Sequence, residues 1–518
     1  MNSTSSSTST SSSSFTSTIP KNENSSSKAT PFYSDQVIFV DGKTYDRKFT
    51  ISKAFLDLED PPGVKQSFHK FVHRNRILIF SLILLYFAID GKNHGINKLV
   101  HHASVLKTIF VNPFELIIDL TVMYAMSFLM ALFNFCYQNN YFSKWLFRKD
   151  NKIALFSFYL IVQLIIGTWS AYFILYRQIY PLGTQFYLGL VAIVLSWKQH
   201  SYFIVTNYEV LHKKKINNKD LIIHKKTDSD NNNNNKNTKD EELKIIEFNK
   251  EIAKRQISYN EDFKTIWEVS KDYFIFLFTP TLIYDQYYEV RKVSKTLKPE
   301  PLKTRIISML KELYSSMVIM MTAHYINVEY IFPVLTEELS LYSFLKIIIP
   351  TEINFQLQYY LLYHCALSLL ADISGFNDRL SFYNDYWAAV TTKSILTQWS
   401  KPVHNWLYRH MFSDMKSLLK VKTVICLFTT MIFSGFFHEF IVTSITKQVC
   451  MPWSTFSLIS CALFIMVENK FPKLTNSAYY HAFVRFLLVV GHGLFYFSYF
   501  YFWFSEYDIG YYRTCMKL

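Results

Sequence analysis

Thr423–Thr446 reads TVICLFTTMIFSGFFHEFIVTSIT, an apolar run broken only by two adjacent ionisable residues, His438 and Glu439. A run of this length is enough to cross the roughly 30 Å hydrocarbon core of a bilayer as a helix, which takes about 20 apolar residues. Comparable runs lie on both sides of it: Leu120–Ser143, Ile153–Tyr176, Gln178–Trp197, Leu313–Leu335, Ile347–Ala371, Cys450–Val467 and the aromatic Phe486–Ser505. Pro181 suits the first turn of the helix that follows Arg177. Two further stretches are apolar but short. Ile77–Ile89 has to tilt, borrow flanking residues or lie shallow, and YFIFLFTPTLIY (273–284), interrupted by Pro280, reads as a re-entrant or interfacial segment. The fold class is therefore an all-α, multi-spanning membrane protein with eight to ten membrane segments. Composition agrees: of 518 residues half are apolar, with 47 Phe, 36 Tyr and only 12 Gly, and the apolar residues are gathered into runs as in a membrane protein rather than a large soluble core.

Lysine and arginine outnumber aspartate and glutamate 54 to 40, a formal charge of +14. In a spanning protein that excess is explained by topology, so nucleic acid is not an expected partner. Lys144, Arg148, Lys149 and Lys152, the Lys-rich 208–270 loop, and Lys393, Lys401, Arg409, Lys416, Lys420 and Lys422 all fall on one side if the spans alternate. The positive-inside rule makes that side, and the N-terminus with it, cytosolic.

The chain divides into a Ser/Thr/Asn-rich tail (1–31) expected to be disordered, a pre-membrane segment (32–76), a first group of membrane helices (77–207), a polar cytosolic loop with an Asn tract (208–270), a second membrane group (271–505) and a short tail (506–518). The tail lacks the apolar core and cleavage pattern of a signal peptide, so the first hydrophobic segment is expected to direct insertion. Cys136, Cys365, Cys426, Cys450, Cys461 and Cys515 are scattered without CxxC or zinc spacing, and no metal site is expected.

Ionisable groups at membrane depth are costly and face protein or water. His324, His364, His438 and His492 meet that description. His438 stands apart because Glu439 adjoins it, while the small Ser434 and Gly435 one turn away leave room for a substrate or another helix. A catalytic histidine, a helix-packing polar pair and a proton or ion path all fit this pattern. The 373–422 segment, with SGFNDRLSFYNDYW and TQWSKPVHNWLYRH, is too aromatic for a disordered loop and too charged for a span. It reads either as interfacial helices or as an enclosed site beside the membrane.

Taken in order, these stretches resemble the membrane-bound O-acyltransferase family, in its sterol and diacylglycerol O-acyltransferase branch. FYNDYWA (382–388) resembles FYxDWWN, keeping Phe382, Tyr383, Asp385 and Trp387 but placing Tyr386 and Ala388 where Trp and Asn are usual. GFNDR (375–379), which ends at Arg379, is similar to FADR; WSKPVHNWL (399–407) to WNxxVHxWL; KQHSYFIVTN (198–207) to MKxHSYxxxN; and YFIFLFTPTLIY to YFLFAPTLxY. FFHE (436–439) matches the segment that carries the family's membrane histidine. The resemblance runs from about residue 70 to 505.

The resemblance implies an intramembrane reaction tunnel in which a fatty acyl group passes from acyl-coenzyme A, the cosubstrate, to a lipid alcohol, with no tightly bound cofactor. It assigns His438 the role of general base. The family's second active residue, an Asn, is replaced here by Ser400, whose hydroxyl also donates but with shorter reach. Ser400 substituting, Asn405 taking over, and an impaired enzyme are the three consequences to weigh. Tyr383, Asp385, Trp387, Trp399, His404 and Asn405 are implied at the coenzyme A entrance, with Phe382, Arg379 and Glu439 in support. No Cys or Ser stands in a nucleophile setting, so direct attack by the alcohol is expected, without an acyl-enzyme. Asp385, where diacylglycerol transferases tend to carry Glu, favours a sterol acceptor; diacylglycerol or a long-chain alcohol is the alternative. A transporter using the buried histidines, or a lipid-binding homologue without catalysis, are the readings from other classes. Residence in the endoplasmic reticulum membrane and assembly as a dimer or tetramer are further implications.

Overall fold

The structure is a computed structural model and describes residues 68–90, 103, 106, 111–138, 152–172, 180, 182–207, 265–284, 301–338, 340–376, 382–383, 386–418, 420–446 and 452–506. The N-terminal tail, the Asn tract, Arg379, Asp385, Cys450 and Cys515 lie outside the described residues. Among the described residues the architecture is helical throughout, with no β-sheet. Among the described residues, five helical stretches are long and apolar enough to cross a membrane: Pro113–Tyr137, Gly183–Thr206, Leu302–Leu335, Thr423–Thr443 and Ala478–Tyr501. Exposed Phe114, Ile117, Ile118, Phe436, Phe483 and Phe486 give them the apolar outer faces that lipid requires.

The first group comprises α1 (Phe68–Asp90), α2 (Pro113–Gln138), α3 (Lys152–Ala171) and α4 (Leu182–Thr206). The short run at Ile77–Ile89 lengthens at its N-terminal end by taking in the basic residues ahead of it, which the helix Leu302–Ile326 makes possible: buried Arg76 donates to buried Glu312 at 2.7 Å. A pair inside the protein removes the cost that either charge would meet alone.

The short helix α5 (Ile266–Phe278) has a capping box at Thr265 and Glu268 and stops before Pro280. Its C-terminal carbonyls would be orphaned at membrane depth. Lys198 of α4 meets them, with Nζ donating to the carbonyls of Phe276 (2.6 Å), Leu277 (3.0 Å) and Thr279 (2.6 Å). A cation there also complements the helix dipole. Ser201 Oγ accepts from the Tyr284 amide at 2.9 Å, and the Tyr284 hydroxyl donates to Asp272 at 2.6 Å. The two motifs at 198–207 and 273–284 therefore build one another, and the segment after α5 turns back at Pro280 rather than spanning.

The second group begins with α6 (Leu302–Ile326), continued through a π turn to Leu335, and α7 (Leu341–Tyr359), continued through a π turn at Tyr360–Ala366 into α8 (Leu367–Ser374). Then come α9 (Thr392–Trp399), α10 (Lys401–Leu407), a π turn at Tyr408–Ser413, α11 (Asp414–Leu418), α12 (Thr423–Thr446), α13 (Trp453–Lys470) and α14 (Ala478–Glu506). The bounds of α12 coincide with the apolar run read from sequence. Those of α6 do not: it starts at Leu302 rather than Leu313, because Arg305 donates to the carbonyls of Asp372 and Ile373 and Glu312 is paired, so charged residues are accommodated inside the helix.

Gly435 explains how tightly α12 and α13 pack. A Cβ there would lie 2.7 Å from Thr455 Cα. Gly435, one turn before His438, thus admits a neighbouring helix.

Candidate active site

His438 projects from α12. Its Nδ1 lies 2.7 Å from the carbonyl oxygen of Ser434, one turn earlier. A carbonyl only accepts, so Nδ1 carries the proton and Nε2 presents its lone pair. On this helix Phe436 (60% exposed), Ile432 and Ile425 mark the outer face. At about 100° per residue, His438 points to roughly the opposite side, together with buried Ser434 and Ile441. His438 itself is nevertheless accessible.

Aromatic packing fixes the helix around it. Phe433 stacks on Trp406 (centroids 6.2 Å) and Phe437 meets Trp197 edge-on (5.6 Å), while Trp197 and Trp406 stack at 4.3 Å. Trp406 Nε1 donates to the Trp197 carbonyl at 2.9 Å. In this way α4 and α10 wedge α12 from one side. Glu439 faces protein: its carboxylate accepts from the Tyr499 hydroxyl of α14.

Ser400 is buried in the bend between α9 and α10, near the Tyr363 hydroxyl but without a hydrogen bond of good geometry on its Oγ. Its neighbours are fixed by backbone: Lys401 N donates to the Phe382 carbonyl (3.0 Å), and the Trp399 carbonyl accepts from the Tyr359 hydroxyl (2.5 Å). Trp399 sits in an aromatic box, its ring 4.5 Å from Tyr359, 4.5 Å from Tyr386 and 5.2 Å from Phe355. The structure thus joins the 382–388 and 399–407 motifs into one wall. No hydrogen bond links Ser400 to His438 among the described residues.

Phe382 is buried and stacked on Phe376; half-buried Trp387 packs on Tyr386 and Tyr383. The Tyr383 hydroxyl lies 2.7 Å from His364 Nδ1, and His364 Nε2 lies 3.4 Å from Arg76. Arginine only donates, so His364 Nε2 accepts and Nδ1–H donates to Tyr383. The resulting chain from Tyr383 through His364 and Arg76 to Glu312 ties the motif to α1 and α6, and it could be read only in part, because a pairing across this sequence distance leaves no local pattern. Asn405 is half-buried on α10, its carbonyl accepting from Tyr408 N. His404, on the same helix outside the long apolar stretches, is pushed down to about 4 by burial and, secondarily, by Lys393. At neutral pH it presents a neutral imidazole rather than a cation to any phosphate.

A half-buried pair absent from the expected site adjoins this wall. His492 of α14 lies 2.6 Å through Nδ1 from Glu352 of α7, and its ring stacks on Phe355 at 3.8 Å and reaches Trp399 at 6.3 Å. Both are ionisable residues in apolar runs, the signal by which Glu352 could have been found. Elsewhere, one ligand atom each from His200, His410 and Asp414 lie within 4.8 Å of one another, a set that could hold a divalent cation. Burial raises Asp414 to about 7, partly offset by Arg409.

A comparison with family models matches residues 256–504 to MBOAT, the membrane-bound O-acyltransferase family. The matched stretch is just under half of the chain. It holds α5 to α14 up to residue 504, including His438, Ser400 and the His492–Glu352 pair. Among curated proteins, the chain is 33% identical over 119 residues to probable sterol O-acyltransferase 1 of Schizosaccharomyces pombe, covering 23% of this chain and 22% of that one. It is 26% identical over 218 residues to diacylglycerol O-acyltransferase 1 of Bos taurus (39% and 40%), and 32% identical over 101 residues to the Homo sapiens diacylglycerol O-acyltransferase 1 (19% and 20%). The matches span two fifths or less of the length of these relatives, and the two acceptor types occur at similar identity.

Proposed function

We propose that the chain is an acyl-coenzyme A-dependent O-acyltransferase of the endoplasmic reticulum membrane that esterifies a sterol hydroxyl. The observation that carries this reading is His438: an imidazole whose proton is held on Nδ1 by Ser434, leaving Nε2 accessible on the side of an apolar helix away from Phe436. An alcohol is a poor nucleophile near neutral pH, and a base within about 3 Å can take its proton as it attacks. The acceptor and product partition into lipid, whereas anionic coenzyme A arrives from the basic, cytosolic side. The hydroxyl oxygen attacks the thioester carbon directly, its proton passes to His438 Nε2, and the C–S bond breaks.

In this reading Ser400 donates toward the oxyanion from the wall formed by Trp399, Tyr359 and Tyr386. The buried, weakly engaged hydroxyl supports that role, since a group held without a firm partner is available to a substrate oxygen. Trp387, Trp399, Asn405 and neutral His404 are the described candidates for holding the donor, with Tyr383 and Phe382 shaping the wall and Asp385 and Arg379 beside them in sequence. Asp385 favours sterol; relatives of both acceptor types keep diacylglycerol as the second reading. Oligomers and association with membrane lipid belong to the same proposal.

The test is separation of neutral lipids made by purified protein from labelled acyl-coenzyme A, with sterol and diacylglycerol offered in parallel. Labelled steryl ester is expected in excess. Labelled triacylglycerol alone would move the acceptor to diacylglycerol, and no labelled ester from either would refute the transferase reading.

A further inference from the structure

Among the described residues His438 is held by a backbone carbonyl, but His492 has a carboxylate behind it. Glu352 Oε2 lies 2.6 Å from His492 Nδ1, and Glu352 Oε1 accepts from Gln356 Nε2 at 2.7 Å. Gln356 in turn accepts from the Tyr386 hydroxyl, and Arg485 of α14 donates to the Tyr386 and Ala389 carbonyls at 2.5 Å each. The imidazole is clamped flat against Phe355 and beside Trp399. A carboxylate on Nδ1 and an aromatic clamp on the ring fix where Nε2 points and stabilise a proton there, the arrangement that orients acid–base histidines. Simple packing would not need an ionisable pair, because a carboxylate at this depth is expensive unless partnered.

The pair's depth gives it a distinct place. Tyr499 donates to Glu439, so Tyr499 marks the level of His438. His492 lies about two turns earlier on α14, about 10 Å along the axis at about 1.5 Å per residue. Short connections join α12, α13 and α14, so successive helices alternate in direction and α14 starts on the side where α12 starts, next to Lys416, Lys420 and Lys422. His492 is therefore nearer the basic side than His438. A thioester entering from that side has its sulfur toward His492 and its carbonyl carbon farther in.

We propose that His492, paired with Glu352, donates the proton taken up by the departing coenzyme A thiolate. This rests on the acyltransferase reading. The alcohol oxygen bonds to the thioester carbon and its proton moves to His438 Nε2. The C–S electron pair leaves on sulfur, which takes the proton from His492 Nε2 and departs as a neutral thiol. His438 is left protonated and His492 neutral, and exchange with water at the entrance returns one proton each way, so no other reactant is consumed.

The experiment compares the parent protein, His492→Gln, Glu352→Gln and His438→Ala, each checked for monodispersity in detergent, on two donors: oleoyl-coenzyme A and its selenoester analogue, whose more acidic selenol leaves without needing a proton. With the thioester, His492→Gln is expected to lower kcat about 100-fold and Glu352→Gln about tenfold, the scale of a lost general acid and of its orienting partner, with KM for both substrates little changed. With the selenoester both deficits should shrink to less than about fivefold, whereas His438→Ala, acting on the alcohol, keeps its deficit on both donors. If His492→Gln does not fold, the donor dependence of Glu352→Gln carries the test. Undiminished turnover in the two paired variants, or equal deficits on both donors, would overturn this inference alone. A parent protein inactive on every acceptor would overturn the reading beneath it.

Discussion

Replacing Gly435 by alanine puts one methyl group into the α12–α13 contact. Its carbon would lie 2.7 Å from Thr455 Cα, 3.0 Å from Thr455 Oγ1 and 3.2 Å from Thr455 Cβ. Carbon atoms settle at about 3.5–4.0 Å, so the helices must part by about 1 Å locally. The nearest atom is backbone, which no rotamer change can remove. Overpacking of this kind costs about 1–3 kcal/mol, against about 1 kcal/mol that alanine returns over glycine in helix propensity, so a net loss of up to about 2 kcal/mol is expected. The functional effect should be larger, because His438 stands one turn from the shifted contact and a misplacement of about 1 Å can cost about 100-fold in rate. The assay is turnover of acyl-coenzyme A by purified Gly435→Ala, alongside its thermal unfolding in detergent. A companion Thr455→Gly should not restore the rate, since the Cα clash persists. Parent-like rate and melting in Gly435→Ala would refute the reasoning, and full rescue by Thr455→Gly would show that the side chain, not the backbone, sets the spacing.

Other expectations test separate joints of the account. Lys198→Met strips three carbonyls of their donor and should lower stability by about 3 kcal/mol or more, since buried hydrogen bonds to a charged group contribute about 1.5–3 kcal/mol each; unchanged melting in detergent would remove Lys198 from that role. Ser400→Ala should reduce kcat by about tenfold or more, while Ser400→Asn should preserve or raise it; indifference to both would take Ser400 out of the site. His404 has a lowered native value of about 4 against about 6.5 unfolded, so the unfolded chain binds more protons between those values. Its contribution is complete above about pH 6.5 and is lost as pH falls toward 4, at most about 3 kcal/mol; thermal melts at pH 7 and pH 4.5 should show this slope flattened in His404→Gln, and an identical slope in both proteins would count against it.

Much of the fold was legible because a bilayer admits few solutions. Long apolar runs must be helices, and α12 emerged with the bounds its sequence suggested. Helix starts were less legible where charged residues enter a helix and find distant partners, as Arg76 does in Glu312 and Arg305 in the carbonyls of Asp372 and Ile373. Of the site, His438 and the 399–407 stretch were marked by polarity inside apolar sequence and by resemblance. What could not be read was who meets whom. Glu352 and His492 are separated by 140 residues, and neither carries a local pattern that names the other. The role of Lys198 was hidden for the same reason: a lysine in a span signals a partner but does not say that the partner is the end of a short helix. Gly435 signalled close approach without saying whether ligand or helix would fill the space.

The central claim concerns one nitrogen. In purified, monodisperse His438→Ala, single-turnover acyl transfer at saturating donor and sterol should fall by about 10²–10⁴-fold with donor binding retained, the range for a lost general base. Transfer within about twofold of the parent rate would contradict the account, whatever else the helices around His438 are found to do.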